Sequence, residues 1–98
     1  MMLHTVLFWF KPGVTALQLQ AFEAGVSQLF TISGIMSRFL GVPTEAHQPP
    51  VDASYSYQLT LGFADQHDHA AYEDDPTHLA FIERCGPLFA KVLIYDAE

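Results

Sequence analysis

Cysteine is nearly absent. Cys85 is the only one, which excludes an intrachain disulfide and leaves no thiolate pair for a metal site. That count suits a reducing compartment, so a cytoplasmic location is the expectation. Positive charge is also scarce: four lysines and arginines stand against eleven aspartates and glutamates, for a net charge of −7. Lys11, Arg38, Arg84 and Lys91 are scattered along the chain. Nucleic acid binding requires clustered cations to neutralise phosphates, and none are clustered here. Anionic membrane surfaces are disfavoured for the same reason. No apolar run has the length of a bilayer span. The opening run, Met1 to Phe10, is too short, has no basic region before it, and leads into Lys11-Pro12-Gly13. It predicts a strand and not a signal peptide.

Apolar material is plentiful. Half of the 98 residues are hydrophobic, 13% are aromatic and only 15% are charged. The length fits one domain over residues 1–98. A domain this small has little interior, so the surplus predicts burial against a second copy, giving a homodimer. Leu3 to Phe10 is apolar at nearly every position and reads as a strand covered on both faces. Thr15 and Gln18 have the spacing of a capping box. Leu19, Phe22, Val26, Leu29 and Phe30 follow at helical spacing, and Gly34 is placed to end that helix. Ile35 to Val42 reads as a second strand, with Met36, Arg38 and Leu40 on one side and Ile35, Ser37 and Phe39 on the other. Pro43 to Ala53 reads as a loop. Tyr55 to Phe63 alternates with period two and is the clearest strand. Asp65 opens a short helix carrying His69 and Tyr72. Asp75 and Pro76 start another, with His78, Ile82 and Cys85 on one face and Leu79 beside them; Gly86-Pro87 stops it. Phe89 to Tyr95 is the last strand.

The order βαββαβ predicts a ferredoxin-like α+β subunit with a four-stranded antiparallel sheet and both helical segments on one face. Two such sheets laid face to face would form a dimeric α/β barrel.

Four short motifs have a family look. They are Leu3-His4-Thr5-Val6-Leu7-Phe8 with Lys11-Pro12-Gly13, Ile32-Ser33-Gly34-Ile35, Tyr72 with Asp75-Pro76-Thr77-His78, and Val92-Leu93-Ile94-Tyr95-Asp96. In order and spacing they resemble the stress-responsive A/B barrel (Dabb) family. The resemblance implies a dimer of ferredoxin-like subunits. It also implies a link to a plant branch that cyclises polyketides without a cofactor, using histidine and tyrosine in a cleft between helices and sheet. By position, His4, Tyr72 and His78 match polar residues of that cleft. Tyr57 stands where the branch has another histidine, and Gly25 where it has a tyrosine.

His4, His78 and Tyr72 are therefore the candidate catalytic residues, and Tyr57, Gly25, Phe22 and Phe81 the candidate ligand contacts. Imidazoles move protons near neutral pH. Two imidazoles and a phenol could abstract a proton beside a carbonyl and stabilise the enolate. The expected ligand is a small, apolar, oxygenated molecule, with no cofactor. The competing readings are a dimeric structural or protein-interaction module, in which both histidines are hydrogen-bonded core residues, and a cofactor-free monooxygenase. A second cluster, Asp65, His67, Asp68 and His69, reads as a solvated helix start. Residues two apart on a helix diverge, and spacing suggests no remote third ligand, so no metal site is expected. Cys85 reads as an inert buried residue.

Overall fold

The computed structural model describes residues 1–98. Its elements are β1 (Met2–Phe10), α1 (Ala16–Leu29), β2 (Ile35–Gly41), β3 (Tyr57–Phe63), α2 (Gln66–Asp74), α3 (Pro76–Cys85) and β4 (Phe89–Ala97). The strands form one antiparallel sheet in the order β2-β3-β1-β4. This is the ferredoxin-like α+β arrangement.

Local chemistry explains most boundaries. The Thr15 hydroxyl accepts from the Gln18 amide at 3.2 Å, and the Gln18 side chain accepts from the Thr15 amide at 2.9 Å. Together they satisfy two amides that the first turn of α1 would leave bare. Gly34 has φ of 93°, a left-handed conformation that side chains disfavour, and it turns the chain from α1 into β2. The Asp65 carboxylate caps α2 by accepting from the Asp68 amide at 3.0 Å. Asp75 caps α3 by accepting from the Thr77 amide at 2.8 Å, with Pro76 in the first turn.

Register decides which side chains meet the helices. His4 pairs with Leu61 on one side and Asp96 on the other, and Val6 pairs with Leu59 and Ile94. Cross-strand partners share a face, so the even-numbered positions of β1 point at the helices. There Val6, Phe8, Leu59, Leu61 and Phe63 pack with Phe22, Val26 and Leu29 of α1 and with Phe81 of α3. The odd positions, Leu3, Thr5, Leu7 and Trp9, lie opposite Ala97, Tyr95, Leu93 and Lys91 on a face that no helix covers.

Three expectations need correction. Ile35 does not share a side with Ser37 and Phe39. A bulge between Ile35 and Ser37 inserts a residue, so Ile35, Arg38 and Leu40 pair with Phe63, Leu61 and Leu59 on the helix side. Strict alternation carries no mark of such an insertion. Two strands are shorter than expected, β2 ending at Gly41 and β3 beginning at Tyr57, and two are longer, β1 beginning at Met2 and β4 running on to Ala97. On α3 the core side is Phe81 and Cys85, whereas Leu79 and Ile82 are exposed.

Candidate functional site

His4 sits near the start of β1 on the helix side and is 4% exposed. Its Nδ1 lies 2.6 Å from Oδ1 of Asp96, directly across on β4. A carboxylate only accepts, so the imidazole donates from Nδ1, leaving Nε2 with the lone pair. Burial pulls the His4 pKa below its ordinary value, against the opposing pull of the Asp96 hydrogen bond and charge. The ring is therefore a neutral base at neutral pH.

Tyr72 projects from α2 and is 1% exposed. Its ring lies 6.1 Å from that of His4 and 4.7 Å from that of His78, centroid to centroid. Burial, with a contribution from the Glu73 charge, pushes the phenol far above its ordinary value. It stays protonated and is a hydrogen-bond donor. His78, in the first turns of α3, has Nδ1 3.0 Å from the Glu73 carbonyl oxygen. A carbonyl accepts, so this imidazole too donates from Nδ1 and keeps the lone pair on Nε2.

These three groups share one cavity of about 560 Å³ between α2, α3 and the β1–β4 half of the sheet. His4, Tyr72, Glu73 and His78 form its polar end, Lys91 also borders it, and its walls include Val6, Phe8, Phe81, Ile82, Val92 and Ile94. The volume and the mostly apolar lining with a few convergent polar groups suit a small-molecule site. The exposure of Ile82, Val92 and Ile94 follows from lining its mouth.

Of the candidate ligand contacts, Phe81 lines this cavity and the other three lie elsewhere. Phe22 is fully enclosed, with ring centroids 5.0 Å from both Phe10 and Tyr57. Phe22 and Tyr57 belong to an aromatic cluster and do not line the cavity. Gly25 is also outside it, behind Phe81. A Cβ at position 25 would come 2.9 Å from the Phe81 ring. Gly25→Ala is expected to lower stability by about 1 kcal/mol, because overpacking costs ~1–3 kcal/mol and outweighs the helix propensity gain of ~1 kcal/mol. Urea unfolding of the two proteins measures this. A stabilised variant would show that Phe81 yields freely into the cavity.

Two participants escaped the sequence reading. Asp96 is 92 residues from His4, and only the β1–β4 register brings them together. His69 is not solvated: it is 8% exposed, with its ring 4.4 Å from that of His4 and 5.3 Å from that of Phe63. Its spacing of three from Tyr72 places both on one face of α2, which is the signal that was available. The cluster Asp65, His67 and Asp68 does lie at the exposed helix start. The Cys85 thiol is enclosed, and burial pushes its pKa up, so it is unreactive.

The fold and cleft define a class: a ferredoxin-like domain with an apolar cavity between helices and sheet. The profile of the Stress responsive A/B Barrel Domain family, Dabb, matches residues 2–98, and the chain belongs to that family. A Dabb family protein of ferredoxin-like fold from Mesorhizobium loti is 28% identical, with a TM-score of 0.79 over 99% of this chain and 94% of that one. A protein from Thermobifida fusca, described as dimeric and ferredoxin-like, is 20% identical, with a TM-score of 0.81 over 98% of this chain and 88% of that one. A hydroxynitrile lyase from Passiflora edulis is 17% identical, with a TM-score of 0.81 over 98% of this chain and 90% of that one. The last two likenesses show the fold. Comparison with curated proteins finds no match. No helix is long and apolar enough to cross a membrane.

Proposed function

We propose that the cleft binds a small, mostly apolar, oxygenated molecule and performs acid/base chemistry on it without a cofactor. One observation carries the reading. Two imidazoles with Nδ1 engaged and a protonated phenol meet at the polar end of an apolar cavity. Nε2 of His4 or His78 takes a proton from the carbon beside a substrate carbonyl. The electron pair moves onto the carbonyl oxygen, and the Tyr72 hydroxyl or the new imidazolium donates a hydrogen bond to that oxygen. Asp96 stabilises the imidazolium when it forms on His4. The enolate can then close onto a second carbonyl, as in polyketide cyclisation, or be reprotonated elsewhere. We further propose that the working unit is a homodimer joined through the uncovered sheet face. The dimeric Thermobifida fusca relative and the apolar character of that face support this.

The test is binding of a panel of aromatic and polyketide-like acids, by thermal shift and then calorimetry. A hit is expected to bind the parent and to weaken about tenfold or more in His4→Ala and in His78→Ala, because each variant leaves a polar substrate group unpaired in an apolar cavity. A hit that stabilises both variants as much as the parent would remove the site. The tie of His78 to the Glu73 carbonyl favours a second reading, a purely structural module. In that case no panel member binds, and both substitutions lower stability. Oxygen consumption with an electron-rich phenol would instead single out a cofactor-free monooxygenase.

A further inference from the structure

We propose that His4, His69 and Asp96 form a binding site for a divalent transition metal ion of the zinc or cobalt type. The ligand atoms these residues offer all lie within 4.8 Å of one another. They come from three elements, β1, α2 and β4. Two imidazoles and a carboxylate suit such ions better than magnesium or calcium, which prefer all-oxygen shells.

His69 supplies a second, independent observation. Its Nε2 is enclosed and has no hydrogen-bond partner, and the residue is 8% exposed. An enclosed polar atom left unpaired costs ~1–3 kcal/mol, so its persistence calls for a partner. The ring lies 4.4 Å from that of His4, tilted 44° to it, and the His4 Nδ1 faces Asp96 at 2.6 Å.

An entry path is present. A separate cavity of about 360 Å³ opens beside the cluster, lined by His69, Asp96, Glu73, Glu98 and Gln66, with no lysine or arginine. In a chain of net charge −7 such a pocket concentrates cations. Glu73, whose carboxylate is 3.7 Å from Nδ1 of His69, is placed to orient that ring, as outer carboxylates do for metal-bound histidines. The other acidic group, Asp65, His67 and Asp68, lacks any enclosed unpaired atom, and Asp65 already caps α2.

An ion on Nδ1 of His4 replaces the proton shared with Asp96. The neutral ring then carries its hydrogen on Nε2 and changes from acceptor to donor. Metal occupancy and the base role of His4 are therefore mutually exclusive, yet ion binding does not depend on whether the cleft binds an organic molecule.

The experiment is a Co²⁺ titration of the full chain after chelator treatment, followed by visible absorption, with Zn²⁺ competition. The expected result is saturable binding of one Co²⁺ per chain with ligand-field bands that Zn²⁺ abolishes. His69→Gln and Asp96→Asn should each weaken binding about tenfold or more, while His67→Gln leaves it unchanged. Circular dichroism confirms that each variant is folded. Asp96→Asn is the safer probe, since its side chain is 40% exposed and the change is isosteric. Absence of saturable binding to the parent overturns the proposal without recourse to any variant. So does binding that His67→Gln removes and His69→Gln retains.

Discussion

Phe22→Ala is expected to cost about 3–5 kcal/mol of stability. Phe22 is wholly enclosed. Its ring meets Phe8 at 5.2 Å, Phe10 and Tyr57 at 5.0 Å, Phe81 at 5.8 Å and Phe89 at 5.9 Å between centroids. Five aromatic neighbours cannot collapse into the vacated space without leaving their own rotamers, so the cavity term adds to the lost transfer energy. A domain of this size has ~5–15 kcal/mol of stability in all, and the substitution removes a large part of it. Urea unfolding should show a much lower midpoint at an unchanged slope. A loss below about 1 kcal/mol would mean that the ring is not a keystone of the core. The same experiment separates the two roles open to this residue. A ligand contact would weaken binding at little cost in stability, whereas the enclosed position requires the reverse.

What the sequence shows of the fold is what local chemistry controls. The capping box at Thr15 and Gln18, the left-handed Gly34 and the Asp75-Pro76 start of α3 each involve residues within a few positions of one another, and each is present. Two-residue alternation identified the helix-facing set of β3 for the same reason. The β2 bulge was invisible because a single inserted residue changes which face Ile35 occupies without changing composition. On α3 an apolar face is wide enough to admit either Phe81 or Ile82 as its centre. Packing against Gly25 selects Phe81, and no pattern within α3 carries that information.

Of the candidate site, the sequence points to His4, Tyr72 and His78, and they line one cavity. It does not point to Asp96 and His69, since their places arise from register and from the seating of α2 on the sheet. A cavity is defined by what fails to fill it. Glu73, whose neighbours in the sequence suggest only a solvated corner, borders both cavities for that reason.

Leu93→Asp is expected to convert a dimer into a folded monomer. Leu93 pairs with Leu7 across β1 and β4, with Leu3, Trp9 and Tyr95 on the same uncovered face. Phe39 of β2 extends the patch, opposite Thr60. Soluble monomers rarely leave so many large apolar side chains together in water, and obligate interfaces resemble a core cut in half. A carboxylate placed at the middle of that contact would be desolvated without a partner, a cost of several kcal/mol. A loss of ~3 kcal/mol raises the dissociation constant more than about 100-fold. Light scattering across a dilution series measures the mass directly. Leu17→Asp, on the outer side of α1 where the side chain is 76% exposed, should leave the mass unchanged. A parent that is already monomeric in dilute solution, or a Leu93→Asp variant that remains dimeric, would end the dimer proposal. The cleft obeys a different parity. Most of its sheet-borne walls, among them His4, Val6 and Phe8 with Val92 and Ile94, are one step along each strand from the residues on the open face, and Lys91 is the one residue named on that face that also borders the cleft. The monomeric variant should therefore keep its affinity for a cleft ligand, which distinguishes loss of the interface from loss of the site.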